Sequence, residues 1–297
     1  MSDHLIILFY KFITIENPEQ FRTEHRALCE SLDLRGRMLI ATEGINATFE
    51  GTEENIKKYE AALHAMPDFK DLVIKESQGT GQAFTKLKIK VRKEIVTLGV
   101  GEFNIAEETA PEITAAELEE MYVKDEDFVV LDLRNDFEVL VGQFEKTYDP
   151  KLRNFRDLTE LLPKLEDLKN KKVVAVCTGG IRCEKATCLL KRHNFSNLYQ
   201  LKDGIHTYMQ QYPTSHFKGS LFVFDNRMTT LVVEGVDREI ISKCSYCQIP
   251  TEQFYSDDSV RPSVKIICCD DCFLLHQDRL RSCNSFVLEQ KSKESKE

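Results

Sequence analysis

Residues 172–186 read KVVAVCTGGIRCEKA and carry the pattern on which the fold of the central part of the chain depends. An apolar run ends at Cys177, two glycines follow, and a segment with helical character begins after them. A buried strand that leads through a glycine loop into a helix is typical of parallel α/β sheets, whose loops at the carboxyl ends of strands carry the chemistry. The stretch therefore predicts a thiol at the junction between a strand and a helix N-terminus.

Strand-like and helix-like segments alternate on both sides of this stretch, which predicts a parallel sheet with helical crossovers. The resulting domain is expected to be α/β and to span residues 113–215. The predicted helices are 113–122, 157–168, 183–193 and 204–212, and the predicted strands are 128–134, 171–177 and 198–201.

The first hundred residues have a different order, β-α-β-β-α-β, which is typical of an α+β ferredoxin-like sandwich with helices on one sheet face. Strands are expected at 5–15, as two short strands within 37–51, and at 71–77, and helices at 18–32 and 53–66.

Two further segments complete the predicted organisation. Residues 100–113 contain Gly, Pro and acidic residues without apolar periodicity, and they are predicted to be a linker. The predicted domains are therefore a ferredoxin-like domain at 1–100, the parallel α/β domain at 113–215, and a cysteine-rich C-terminal segment at 216–290.

The composition indicates a soluble globular protein, with 42% hydrophobic and 30% charged residues and a formal net charge of −9. The run LIILFY at 5–10 is too short for a membrane span and lacks the basic leader of a signal peptide. We therefore expect a cytoplasmic protein without a membrane partner. The net charge argues against non-specific coating of nucleic acid, but it leaves room for a local basic surface.

The ten cysteines are clustered, with three in 177–188 and six in 244–283. In a cytosolic protein such clusters indicate reactive or metal-binding thiols more than a disulfide framework.

Cys177 is the candidate catalytic residue. A thiolate is stabilised by a helix N-terminus and by converging backbone N–H groups. Gly179 and Gly180 allow the loop to curl so that several amides point inward, which makes an anion-binding nest, and Arg182 adds a positive charge. The nest comprises Thr178, Gly179, Gly180, Ile181 and Arg182.

The length of this loop distinguishes two chemistries. Four residues separate Cys177 from Arg182. Protein phosphatases with a cysteine nucleophile use a loop one residue longer, which encircles a phosphate. The shorter loop resembles the active-site loop of rhodanese sulfurtransferases, which accommodates a sulfur atom carried on the cysteine as a persulfide.

Other residues near the loop have structural interpretations. Cys183 is a resolving thiol for an oxidised Cys177 or a packing residue of the helix. Asp132 and Arg134 are interpreted as a structural pair beside the loop, not as catalysts.

Residues 85–99 predict a strand with a basic face. Lys86, Lys88, Lys90 and Arg92 alternate with apolar residues, and a period of two sends all four cations to one side. One interpretation is an edge strand whose lysines discourage aggregation. The other is a surface that contacts RNA phosphates.

The C-terminal cysteines form two Cys-x2-Cys pairs separated by twenty-one residues, which is close to the spacing of a four-cysteine zinc site. The candidate ligands are Cys244, Cys247, Cys269 and Cys272. The alternatives are a disulfide pair or free thiols in a small packed unit.

The whole string CTGGIRCEKA (177–186) resembles the bacterial rhodanese-like family of tRNA uridine hydroxylases, as do FYKF (9–12), ATEGINATFEG (41–51) and EIVTLG (94–99). The resemblance covers the chain to about residue 283. It implies an acylphosphatase-like (ferredoxin-like) domain, a rhodanese domain and a cysteine-rich tail.

The resemblance further implies oxygen-dependent hydroxylation of the wobble uridine of tRNA to 5-hydroxyuridine, with Cys177 as the essential residue. The expected partners are tRNA and molecular oxygen, together with a sulfur donor if Cys177 works as a persulfide. No cofactor is certain, and a structural zinc in the C-terminal segment is the candidate. The alternative functions are a rhodanese-type sulfurtransferase that carries a cysteine persulfide, and a non-catalytic RNA-binding or sulfur-sensing module.

Overall fold

The computed structural model describes residues 3–283, and its chain divides into two compact units, residues 1–99 and 100–297. The last residues of the predicted C-terminal segment, 284–290, lie outside the described residues. None of the helices in the described part of the chain combines the length and the hydrophobicity that crossing a membrane requires.

The first unit contains the predicted ferredoxin-like order and one further strand, and its sheet has the order β4-β1-β3-β2-β5. Its elements are β1 (His4–Phe12), α1 (Pro18–Ser31), β2 (Arg35–Ala41), β3 (Gly44–Thr52), α2 (Glu53–His64), a 3-10 turn (Pro67–Phe69), β4 (Lys75–Gln78) and β5 (Leu87–Val91).

Both helices of this unit begin at residues suited to the position. The side chain of Asn17 accepts a hydrogen bond from the amide of Gln20, and Pro18 is the first residue of α1. The side chain of Thr52 accepts a hydrogen bond from the amide of Asn55 at the start of α2. The helices cover one face of the sheet, where Ile7, Phe9 and Phe49 are fully buried. The other sheet face carries the alternating partners of these residues.

Two of the sequence segments that resemble the hydroxylase family meet in this unit. The Glu43 carboxylate accepts a hydrogen bond from the amide of Ile95 at 2.8 Å, and the Asn46 side chain donates to the Ile95 carbonyl at 3.1 Å. The turn between β2 and β3 is thereby joined to the segment that follows β5.

The second unit is built on a five-stranded, all-parallel sheet with the order β6-β11-β10-β7-β9. Up to β11, its elements are α3 (Ile105–Glu108), β6 (Glu112–Ile113), α4 (Ala115–Val123), β7 (Val129–Asp132), α5 (Asp136–Val139), β8 (Gly142–Phe144), β9 (Thr147–Tyr148), α6 (Leu158–Leu161), β10 (Val173–Val176), α7 (Ile181–Arg192) and β11 (Leu198–Leu201).

The remaining elements extend this unit with short antiparallel pairs, in which β12 pairs with β8, β13 with β14, and β15 with both β16 and β17. They are α8 (Gly204–Gln211), β12 (Phe217–Gly219), β13 (Leu221–Phe222), β14 (Thr229–Thr230), β15 (Phe254–Asp257), β16 (Val264–Ile267), α9 (Asp270–Leu275) and β17 (Leu280–Ser282).

Four predicted segments were wrong in detail. The strand predicted at 85–99 is only β5 (Leu87–Val91). The linker 100–113 contains α3 and β6, and β6 joins the parallel sheet beside β11. The helix predicted at 157–168 is only α6, with 3-10 turns at Phe155–Asp157 and Leu162–Leu168, because Pro163 cannot continue α-helical hydrogen bonding. The predicted strand 71–77 begins only at Lys75.

Candidate active site

Cys177 directly follows β10 in the centre of the parallel sheet, as the sequence predicts, and α7 begins four residues later. Gly180 caps α7 with a φ of 101°, a value that favours glycine, and its amide donates to the Cys177 sulfur at 3.2 Å. The Cys177 side chain is fully buried. The loop therefore aims a backbone N–H group at the sulfur, as an anion nest requires.

The surroundings of Cys177 favour its thiolate. Burial by itself raises the pKa of this thiol. The hydrogen bond from the Cys183 thiol, the charge of Arg182, and the amides of Arg182 and Cys183 together outweigh burial and lower the pKa of Cys177 to about 6. At neutral pH the sulfur is therefore mostly ionised, which is the form in which cysteine is nucleophilic.

Cys183 is the partner of this thiolate. Burial, followed by its hydrogen bond to Cys177, raises the pKa of Cys183 well above its ordinary value. Cys183 therefore stays protonated and donates. Cys188, by contrast, donates its S–H to the Glu184 carbonyl at 3.1 Å inside α7 and has a packing role.

The start of α8 fixes the other side of the loop. The amides of Ile205 and His206 donate to the carbonyls of Cys177 and Thr178, each at 3.0 Å. Gly204 has a φ of 71°, and a Cβ at this position would lie 2.7 Å from both the Cys177 carbonyl oxygen and the Gly180 nitrogen. Only glycine permits this close approach of α8 to the loop.

Arg182 is engaged by a residue that the sequence analysis missed. Its guanidinium donates to both carboxylate oxygens of Glu138 at 2.6 and 3.0 Å, and to the Thr178 hydroxyl at 3.2 Å. Glu138 is fully buried. Burial alone lowers the pKa of Arg182, but the Glu138 carboxylate more than offsets this and keeps the guanidinium charged. The Arg182 side chain is thus a fixed part of the site.

The sequence did contain a weak signal for Glu138. It is the third residue after Asn135, and its carboxylate accepts a hydrogen bond from the Asn135 amide at 2.9 Å in a capping box. The pattern indicates a helix start, but it does not indicate a second role toward Arg182.

Asp132 and Arg134 form the structural pair that the sequence analysis expected. Both side chains are fully buried, and Arg134 donates to the Asp132 carboxylate at 2.9 and 2.6 Å and to the Gly142 carbonyl at 2.6 Å. The pair joins the end of β7 to β8.

The predicted basic strand lies in the first unit. Lys86, Lys88, Lys90 and Arg92 are all exposed, whereas Ile89 is buried between them. The strand β5 is at the edge of its sheet. Both interpretations of the stripe, edge protection and RNA contact, are compatible with this placement.

The four candidate metal ligands do come together. The sulfur atoms of Cys244, Cys247, Cys269 and Cys272 all lie within 4.8 Å of one another, and the Cys247 and Cys269 sulfurs are 3.6 Å apart. A tetrahedral zinc with Zn–S bonds of about 2.3 Å needs sulfurs about 3.8 Å apart. All ten cysteines fall within the described residues, and each is a free thiol.

The fold and the site together define a class: a rhodanese-type thiol protein, with its cysteine in a six-residue loop at the carboxyl end of a parallel strand, joined to a ferredoxin-like domain. Residues 4–95 match the family described as UPF0176 acylphosphatase like domain, residues 114–211 the Rhodanese-like domain, and residues 218–285 the Rhodanase C-terminal family.

Relatives make the assignment more specific. The chain is 38% identical to a tRNA uridine(34) hydroxylase from Staphylococcus aureus over 85% of this chain and 80% of that protein. It is 37% identical to the protein of the same name from Teredinibacter turnerae over 92% of this chain and 84% of that protein. The chain belongs to the tRNA uridine(34) hydroxylase family.

Among solved structures, a rhodanese-like domain protein from Staphylococcus aureus aligns with 33% of this chain and 90% of its own, with 23% identity and a TM-score of 0.29.

Proposed function

We propose that this protein hydroxylates the wobble uridine, uridine 34, of tRNA at C5, and that molecular oxygen is the oxidant. The observation that carries the proposal is the Cys177 thiolate, which is held by loop amides and by the Cys183 thiol with a pKa of about 6. Membership of the hydroxylase family supplies the substrate.

A thiolate can activate uracil without a metal. Addition of the Cys177 sulfur to C6 makes C5 nucleophilic, and C5 can then capture oxygen; later elimination restores the thiolate. One oxygen atom enters the base, and reduction of the other to water consumes two protons and two electrons from an external reductant. Because Cys177 is fully buried, the base reaches the sulfur only after residues around the loop move.

The same residue supports a second chemistry. A persulfide on Cys177 would be held by the same amides, and the match of residues 114–211 to the Rhodanese-like domain favours a sulfurtransferase as the second candidate function. That reaction requires a sulfur donor, whereas the first requires oxygen.

The other predicted residues have supporting roles in this proposal. Lys86, Lys88, Lys90 and Arg92 contact tRNA phosphates, since four exposed cations in and beside β5 suit a polyanion. A structural zinc held by the four clustered C-terminal cysteines stabilises that segment, and the sulfur separations support the fit. The proposed domain limits are 1–100, 113–215 and 216–290. A tRNA substrate supports a cytoplasmic location.

The deciding experiment is nucleoside mass spectrometry of tRNA from cells that lack the gene, complemented with wild type, Cys177→Ser or Cys188→Ser. We expect 5-hydroxyuridine with wild type and with Cys188→Ser, because Cys188 only packs within α7. Cys177→Ser should give none. Loss of a thiolated nucleoside instead would favour the sulfurtransferase, and wild-type hydroxylation by Cys177→Ser would exclude both the covalent and the persulfide role of Cys177.

Purified protein with tRNA transcript and a thiol reductant tests the oxidant separately. Under the proposal, product forms in air and is absent under anaerobic conditions.

A further inference from the structure

Five cations share the outer face of the sheet where β2 and β5 run side by side in the first unit. We call this surface the basic face, and it consists of Arg35, Arg37, Lys86, Lys88 and Lys90. The two strands are parallel, and Arg37 lies directly opposite Lys88 in the register.

The side chains of the basic face point away from the helices. On β2, Met38 and Ile40 are buried in the core, whereas Arg35 and Arg37 are exposed. On β5, Ile89 is buried and the lysines on either side of it are exposed. Strand periodicity therefore brings both arginines and the lysines to one surface.

The cations of the basic face repel one another. Like charges directly opposite each other on neighbouring strands destabilise a sheet, and Arg37 and Lys88 are such a pair. The protein carries 49 acidic residues. Even so, among residues 3–283 no carboxylate forms an ion pair with Arg35, Lys86, Lys88 or Lys90.

Glu50 lies opposite Arg35 in the strand register, but its carboxylate binds other groups. It is buried and accepts hydrogen bonds from four amides of the loop before β5, at 2.8, 2.8, 2.8 and 3.3 Å. That loop also brings Phe84 under Arg37, whose guanidinium carbon lies 5.7 Å from the ring centroid. The aromatic ring thus supports the cation.

Edge protection does not account for this surface. Lysines on an edge strand discourage aggregation, and β5 is an edge strand. The strand β2, however, lies between β3 and β5 and has no free edge. Arg35 and Arg37 therefore need a different explanation from the lysines.

We propose that the basic face binds the phosphate backbone of RNA across both strands, with Arg35 and Arg37 as phosphate ligands alongside the lysines of β5. This inference rests on the proposed function, which makes tRNA the substrate. Cations on one strand face recur about every 6.7 Å, and neighbouring strands are about 4.8 Å apart, so the face offers a grid of positive charges to a polyanion. Phosphate contacts of this kind position RNA without reading its sequence.

The test is the salt dependence of tRNA binding, measured by fluorescence anisotropy with labelled tRNA transcript and full-length protein. The variant is R35Q/R37Q. The control is R22Q/K58Q, which changes the net charge equally but removes two cations that already pair with Glu19 and Glu54 on the helices. Circular dichroism verifies that both variants are folded.

We expect R35Q/R37Q to weaken binding at least tenfold at moderate salt and to reduce the slope of log affinity against log salt by about 0.7 to 0.9 for each lost phosphate contact. The control should stay within about twofold of wild type with an unchanged slope. A slope for R35Q/R37Q equal to that of the control would overturn the inference.

The outcome is separable from the fate of the proposed function. If R35Q/R37Q lowers the salt slope of tRNA binding but wild-type protein forms no 5-hydroxyuridine, the proposed function fails and the basic face stands. If wild type hydroxylates tRNA while R35Q/R37Q binds as the control does, only the basic face fails.

Discussion

The Cys177 sulfur is surrounded by groups that act on it in opposite directions. Burial favours the neutral thiol, whereas the Cys183 thiol, the Arg182 charge and backbone amides favour the thiolate. The thiolate prevails because several donors converge on one atom. The contribution of each donor can be measured by removing it.

We expect the Cys177 thiolate to titrate near pH 6, with its absorbance at 240 nm rising above that pH. Replacing Cys183 by Ala removes a hydrogen-bond donor and should raise the pKa, while Cys183→Ser keeps a donor and should raise it less. The measurement is the difference in absorbance between each protein and its Cys177→Ser counterpart, so that the other thiols cancel. Identical titrations for Cys183→Ala and Cys183→Ser would show that the Cys183 side chain does not hold the anion.

The buried pair of Glu138 and Arg182 should be costly to break. Glu138→Gln leaves the Arg182 cation without a counter-charge, and we expect a loss of about 3 to 5 kcal/mol in the free energy of unfolding. The control Glu120→Gln removes an exposed partner of Lys124 and should cost less than about 1 kcal/mol. Urea unfolding of the three proteins provides the comparison.

The double variant E138L/R182M is a second test of this ion pair, because apolar replacement removes both charges. It should lose less stability than Glu138→Gln alone. An equal or greater loss would mean that the charges are not what couples these two side chains.

At the scale of elements, the loop that contains Cys177 is held between two helices. Its last residues begin α7, and the amides at the start of α8 bind the carbonyls at its beginning. The position of the sulfur thus depends on where α8 begins.

We expect Gly204→Ala to displace the loop and to abolish most of the hydroxylation activity, because its Cβ would lie 2.7 Å from the Cys177 carbonyl oxygen. Gly235→Ala is the matched control: Gly235 has a φ of 73°, against 71° for Gly204, but no atom of residues 3–283 lies within 4 Å of its Cβ position. Both variants carry the backbone strain, and only one carries the clash. Equal activity of the two in tRNA hydroxylation would refute the role of this close approach.

The cysteine cluster should determine whether the C-terminal elements fold. The buried core there consists mostly of cysteines, with Tyr255 and Leu280. Without a metal this core is small, so we expect one zinc per chain and greater protease sensitivity of the segment after chelation.

Elemental analysis of wild type, Cys269→Ser and Cys283→Ser tests the metal. Cys269→Ser should lose the zinc, whereas Cys283 lies outside the cluster and its variant should keep it. Metal-free wild-type protein that resists proteolysis would contradict the prediction.

Local signals account for what the sequence could predict of these elements. The strand β10, Cys177 and α7 follow from an apolar run and a glycine pair that are adjacent in the chain. Glu138 could not be found in this way, because it lies 44 residues before Arg182 and meets it only when β7 and β10 pair. The strand β6 has two residues, which are too few to show an alternating pattern. Pro163, in contrast, is a local signal in the sequence for the break in the helix predicted at 157–168.

At the scale of the whole molecule, an acidic chain carries a concentrated basic surface in its first unit, whose interior contains a buried histidine. His25 stacks on Phe21 with ring centroids 3.9 Å apart, and burial lowers its pKa to about 4. Protonation of this ring is therefore unfavourable in the folded unit.

The first unit should lose stability in acid. Because the folded pKa of His25 lies below the ordinary value of 6.5, its contribution is complete above pH 6.5 and is lost as the pH falls toward 4, by about 3 kcal/mol in total. In His25→Leu this loss should disappear. Hydrogen-exchange mass spectrometry of peptides from residues 4–64 between pH 7 and 4.5, corrected for intrinsic exchange rates, measures it; parallel curves for the two proteins would contradict the assignment.

The hydrogen bonds from the amides of α8 to the carbonyls of Cys177 and Thr178 have one more consequence. Because α8 holds those two peptide groups, part of the field at the sulfur comes from fixed peptide dipoles, which neither gain nor lose protons. A site polarised in this way keeps its preference for negative charge across the whole physiological pH range. We therefore expect the acid limb of the rate profile to follow protonation of the Cys177 sulfur near pH 6, while the peptide groups around it stay in place.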